Sequence, residues 1–146
     1  MTVDISLWVG GEPRPQGSMK AFSPKGTNRV AITSDSPGLS DWRTLVAWGI
    51  QQAYRKAEHG LILGPVEVRA DFVFSVPQSR RFVRAQAAPP MTTKPDVDKL
   101  ARAILDAGSN VIWRDDAQVT LLVATKRYGW PYDAQPGVQL RIREAS

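Results

Sequence analysis

The chain has 146 residues, of which 42% are apolar and 23% charged, a balance that fits one globular domain with a single core. Lysine and arginine total 19 against 14 acids, and the net charge of +5 favours a polyanionic partner without requiring one. The absence of cysteine excludes disulfides, zinc–thiolate sites and cysteine nucleophiles.

The opening residues, MTVDISLWVGGEP, lack a basic start followed by a long apolar run, so no secretory signal is expected. No window approaches the run of about 18 apolar residues that a membrane span needs. The expected setting is the cytoplasm, or a host's cytoplasm for a phage gene.

Val3, Ile5, Leu7 and Val9 alternate with Asp4, Ser6 and Trp8, the period of a strand. The Gly-, Pro- and Ser-rich run GGEPRPQGSMKAFSPKG then predicts a loop or irregular hairpin. From Arg14 to Arg29 it carries Arg14, Lys20, Lys25 and Arg29 and no acid. Arg29 to Thr33 reads as a short strand.

Pro37-Gly38 marks a turn, with Ser40 as the expected N-cap of a helix from Asp41 to about Glu58. Its apolar face would be Trp42, Leu45, Val46, Gly49 and Ala53. Val66 to Val76 alternates cleanly and predicts a strand. The connection from Pro77 to Pro95 is long for a compact domain and holds Arg80, Arg81, Arg84 and Lys94, again without an acid.

Asp96 to Ala107 predicts a second main helix, with Leu100, Ala103, Ile104 and Ala107 on one face and Gly108 as its C-cap. Ala117 to Tyr128 and Gln135 to Glu144 complete the pattern as strands, the latter with Val138, Leu140 and Ile142 on one face. No repeat or second domain is evident. The expected architecture is a single α/β (α+β) domain over residues 1–146, a small mixed sheet with two helices.

Lys94 to Val119 concentrates five aspartates: Asp96, Asp98, Asp106, Asp115 and Asp116. Each alone has an ordinary explanation as a helix cap, a turn residue or, for Asp98, an i, i+4 partner of Arg102. Together, Asp96 and Asp98 at a helix start and Asp116 at a strand start can share one volume if the helix–turn–strand unit folds back, or if it places the start of that strand beside the sheet strand feeding the helix. Clustered carboxylates repel and are tolerated mainly around a cation. Oxygen ligands without His or Cys select Mg²⁺ or Mn²⁺, which stabilises charge on a phosphodiester under attack. On strand alternation, Asp116 faces away from the apolar positions and Asp115 reads as a turn or capping residue. Asp106 lies about three helical turns, roughly 15 Å, beyond Asp96 and reads as scaffold.

The segment D96-V-D98-K-L100, then Arg102, L105-D106-A107 and D115-D116-A-Q118-V119 resembles the RusA family of Holliday-junction resolvases. The family pattern is D-x-D-N-L, a lysine on the next turn, L/F-D-A and D-D-x-Q-V. The resemblance implies a small homodimer that nicks four-way DNA junctions symmetrically with Mg²⁺ or Mn²⁺. Its three catalytic carboxylates fall on Asp96, Asp98 and Asp116. Lys99 replaces the family's asparagine and Arg102 its lysine. Arg102 keeps the positive charge but does not readily release a proton.

The expected phosphate contacts are Arg14, Lys20, Lys25, Arg80, Arg81, Arg84, Lys94 and Lys99. Phe82, inside RRFVR, is the candidate base wedge, and His59 reads as a surface residue. Two rival readings are a nuclease for forks or flaps and a DNA-binding protein without catalysis.

Overall fold

The computed structural model describes residues 2–17, 19–22, 31–34, 38–77, 88–129 and 135–145. Its elements in chain order are strands β1 (Asp4–Gly10), β2 (Met19–Phe22) and β3 (Ala31–Ser34), helices α1 (Leu39–Ala53) and α2 (Lys56–His59), strand β4 (Val66–Phe74), helix α3 (Val97–Gly108), and strands β5 (Val119–Tyr128) and β6 (Gly137–Glu144). This is the expected small α+β domain, with a one-turn helix added after α1.

β2 and β3 pair antiparallel as a hairpin of their own. The other four strands form a mixed sheet in the order β1-β6-β4-β5. β6 is antiparallel to both β1 and β4, whereas β4 and β5 run parallel. Parallel neighbours need a crossover, and α3 supplies it.

One sheet face is apolar. Val66, Val68, Ala70, Phe72 and Phe74 of β4 and Val138, Leu140 and Ile142 of β6 are buried on it, together with Trp42, Val46 and Ile50 of α1 and Leu100 and Ile104 of α3. The opposite face carries cross-strand ion pairs instead. Arg141 binds Asp4 at 2.9 Å, Arg127 binds Asp71 at 3.3 Å, and Arg143 binds Glu67.

Several boundaries differ from expectation. α1 starts at Leu39 with Gly38, at φ 73°, in the cap position, so Ser40 lies inside the helix. It stops at Ala53 because Tyr54 turns extended, is buried, and donates its hydroxyl to the Gly60 carbonyl at 2.6 Å. The buried face of α1 is Leu39, Trp42, Val46 and Ile50, and Leu45 and Ala53 point to solvent. His59 is exposed, as expected, with its ring 5.7 Å from that of Tyr54.

Gly108 is the last helical residue of α3 rather than its cap, which is Ser109. Glycine is needed there for another reason: the Trp113 ring lies where a Cβ would project. Residues 116–118, expected in the strand, form one turn of 3-10 helix, and β5 begins at Val119.

Candidate active site

The acidic pair sits at the start of α3. Asp96 occupies the N-cap position with extended backbone (φ −68°, ψ 139°), but its side chain caps nothing. Asp98 follows in the first turn. Both are exposed, and neither carboxylate has a hydrogen-bond or ion-pair partner among the described residues. The capping and Asp98–Arg102 explanations are therefore not realised. The amide dipoles at a helix start favour negative charge, which offsets part of the mutual repulsion.

Asp96 is held in place by what precedes it. The Lys126 ammonium, on β5, donates to the carbonyls of Thr93 at 2.6 Å and Pro95 at 2.8 Å. The Thr93 hydroxyl lies 3.0 Å from that of Tyr128, two residues further along the same strand. The segment after β1 is tied in as well, because the Gln16 amide donates to the Lys99 carbonyl at 2.9 Å.

Beside the acid pair is a cavity of about 410 Å³, walled by Pro13, Phe74, Met91 and Tyr128, with Arg14 and Lys94 among its lining residues. Arg14 and Lys94 are exposed, and the Arg14 side chain lies over Gly38. Arg102 is exposed one turn after Asp98 with no ion pair among the described residues, and Lys99 is half-buried. Lys20 belongs to β2. Lys25, Arg80, Arg81, Arg84 and Phe82 lie outside the described residues.

Asp116 sits elsewhere. Its Oδ1 accepts a 2.9 Å hydrogen bond from the indole of Trp113, which is completely buried. Asp115 is the N-cap of the short 3-10 turn, as a capping role anticipated. Its carboxylate accepts from the Ala117 amide at 2.8 Å, and Gln118 Oε1 accepts from the amides of Asp115 and Arg114. Gln118 Nε2 donates to the carbonyls of Ile62 and Gly64, fixing the turn to the segment that enters β4. Because 116–118 is helical, the strand-alternation argument that separated Asp115 from Asp116 does not apply, although the division of roles it gave for Asp115 is the one observed.

The expected fold-back does not occur. α3 descends along the sheet from a start level with Lys126 and Tyr128, the far ends of β4 and β5, to an end beside Trp113 and Ile112. Its 12 residues span roughly 18 Å. Asp116 thus lies at the opposite end of the sheet from Asp96 and Asp98. Among the described residues no three His, Cys, Asp or Glu side chains come close enough to hold a metal ion. The donor chemistry suits Mg²⁺, but within one chain the three carboxylates do not form its site.

Asp106 pairs with Arg43 of α1 at 3.6 Å, a link between helices that fits its scaffold role. Trp113 and Lys126 were not anticipated as parts of the site. Their signal is long-range, and only the register of β5 against β4 reveals it.

The fold and its acidic helix start define a class: a small α+β domain with a carboxylate pair and basic side chains around one end of a parallel strand pair. Residues 11–143 match the family described as Endodeoxyribonuclease RusA, and the chain belongs to that family. It is also similar to the uncharacterized protein YqaN of Bacillus subtilis (strain 168), 28% identical over 148 residues and covering 97% of each chain. Membership makes a DNA-cutting nuclease the general function. No helix is long and apolar enough to cross a membrane among the described residues.

Proposed function

We propose that this protein is a divalent-metal-dependent endonuclease for branched DNA, with four-way junctions as its substrate and a homodimer as its working form. The observation that carries this reading is the exposed Asp96–Asp98 pair at the start of α3, without a partner among the described residues and held by Lys126 through the preceding carbonyls. Two anionic side chains without partners among the described residues, in a basic chain of a nuclease family, suit cation binding better than a structural role. All-oxygen donors point to Mg²⁺ or Mn²⁺, which would supply Lewis acidity toward a phosphodiester.

The chain's own residues do the remaining work. Arg14 and Lys94, on the rim of the neighbouring cavity, bind backbone phosphates and fix the register of the DNA. Arg102 neutralises phosphate charge near Asp98. A two-fold pair of subunits matches a junction with two equivalent strands to cut.

Purified protein with Mg²⁺ should nick a synthetic four-way junction faster than a fork or a linear duplex. The Asp96→Asn variant should not. Cutting at the wild-type rate by that variant would remove Asp96 from the site, and a preference for forks would reassign the substrate.

A further inference from the structure

The cavity beside Asp96 and Asp98 is lined for something other than a phosphate. Its volume, about 410 Å³, falls inside the range of roughly 300–1,000 Å³ that ligand sites occupy. Much of its wall is apolar: Phe74 and Tyr128, the last residues of β4 and β5, with Met91 and the prolines Pro13, Pro77 and Pro95. Asp96 directly follows Pro95, so whatever fills the cavity lies next to the acid pair.

An apolar slot beside a phosphate grip suits a nucleobase, which has flat apolar faces and a polar edge. Bases leave the stack at least cost where pairing is already interrupted, as at the crossover of branched DNA. Apolar side chains then receive the faces, and hydrogen bonds read the edge.

Glu12 supplies the reader. It is half-buried and is the one acid among the described residues that line the cavity. The Ser75 hydroxyl donates to its Oε2 at 3.1 Å, which fixes the carboxylate and leaves Oε1 without a partner among the described residues. A carboxylate at this place repels the DNA backbone, so phosphate binding gives no reason for it. A base edge does. An ionised carboxylate only accepts hydrogen bonds. Cytosine, adenine and guanine each offer it an exocyclic amine, whereas thymine presents carbonyl oxygens.

We propose that the cavity binds one unstacked nucleobase beside the scissile phosphate, and that Glu12 selects a base bearing an exocyclic amine over thymine. The assignment rests on the nuclease reading above and adds a base preference to it.

Two measurements test the proposal. The first reads binding without cutting. Four-way junctions with one unpaired cytosine or thymine at the crossover are titrated with the protein in EDTA and followed by fluorescence anisotropy. The two bases are pyrimidines of similar size that differ at the edge Glu12 would read. The cytosine junction should bind about tenfold more tightly. Glu12→Gln should bring the two within about twofold, because a carboxamide both accepts and donates. Glu12→Asp, which withdraws the carboxylate by one methylene, should narrow the preference as well and serves if the first variant does not fold. Equal binding of the two junctions by the wild type overturns the proposal. So does a parallel loss on both junctions in the variants, the result expected of a purely structural Glu12.

In the second measurement, a junction whose crossover migrates through random sequence is cut with Mg²⁺ and the nicks are mapped by sequencing. One fixed position beside the cut should be depleted of thymine about tenfold in the wild type and far less in Glu12→Gln. Cutting without that depletion overturns the pocket and leaves the nuclease reading standing. If no branched DNA is cut but the cytosine junction still binds more tightly through Glu12, the nuclease reading fails and the base pocket stands.

Discussion

The indole Nε1 of Trp113 donates a 2.9 Å hydrogen bond to Oδ1 of Asp116, joining a fully buried ring to a half-exposed carboxylate. The same ring packs on Gly108, so the end of α3 and the orientation of Asp116 are set by one side chain. Trp113→Phe keeps most of the apolar bulk and removes the donor. Stability should fall by about 1–3 kcal/mol in denaturant melts, the usual cost of a lost buried hydrogen bond plus a small void. Junction cutting, measured where both proteins are folded, should drop roughly 10- to 100-fold, the scale seen when a group orienting a metal-binding residue is lost.

Asp98 and Asp106 share a helix and should respond oppositely. Asp98 has no partner among the described residues, so Asp98→Asn should change stability by no more than about 0.5 kcal/mol while abolishing cutting. Asp106 makes an exposed pair with Arg43, so Asp106→Asn should cost at most about 1 kcal/mol and leave the cutting rate unchanged. Thermal melts and a nicking time course on both variants decide this. A large activity loss at Asp106 would show that the division between them is wrong.

Adjacent carboxylates separate in the same way. Asp115→Ala removes the reciprocal cap with Gln118 and should destabilise the fold by about 1 kcal/mol. Asp116→Ala should affect cutting far more than melting. Equal effects at both positions would mean that Asp116 only supports the turn.

How much of this was written in the sequence depends on range. Period-two alternation located β1, β4 and β6 to within two residues, because one face of each is buried and the pattern is local. The end of α1 was missed because it depends on Tyr54 reaching Gly60. The start of β5 was missed because Asp115 and Gln118 cap each other and wind Asp116–Gln118 into a turn. For the site, the acid types and the start of α3 were legible from residue chemistry. Their separation from Asp116 was not, because it follows from the parallel pairing of β4 and β5, which obliges α3 to run the length of the sheet.

The open sheet face makes a pH prediction. The side-chain hydrogen bond from Arg141 holds the Asp4 carboxyl below its usual range, and the one from Arg143 does the same for Glu67. A depressed folded-state value means the folded protein binds fewer protons than the unfolded chain as pH falls through the ordinary carboxylate range. The contribution is therefore complete above that range, at about pH 5 and higher, and is lost as pH drops through the lowered folded values. Melting temperature should hold steady from neutral pH to about 5 and then decline, with a shallower acid limb in Arg141→Gln. Both carboxylates are solvent-accessible, so the effect should be small and should shrink further in high salt. An unchanged acid limb in that variant would remove Asp4 from the account.

Lys126 offers the most direct check on how Asp96 is positioned. Its ammonium bonds two carbonyls, of Thr93 and Pro95, and so ties β5 to the residues that deliver the chain into α3. Lys126→Met keeps the aliphatic stem and removes both bonds. Each bond of a charged donor contributes about 1.5–3 kcal/mol, but solvent can replace part of it at this half-buried position, so a total loss of about 2 kcal/mol is expected. The informative readout is local. Amide hydrogen exchange should accelerate over residues 93–98 and stay unchanged in the β4–β6 ladder. Junction cutting should fall about tenfold at saturating Mg²⁺, because misplacing a reacting group by about 1 Å is costly. Lys126→Arg should restore part of the protection, since the guanidinium keeps the charge but not the ammonium's geometry. If exchange over 93–98 is unaltered in Lys126→Met while cutting falls, Lys126 acts on the DNA itself rather than through Asp96.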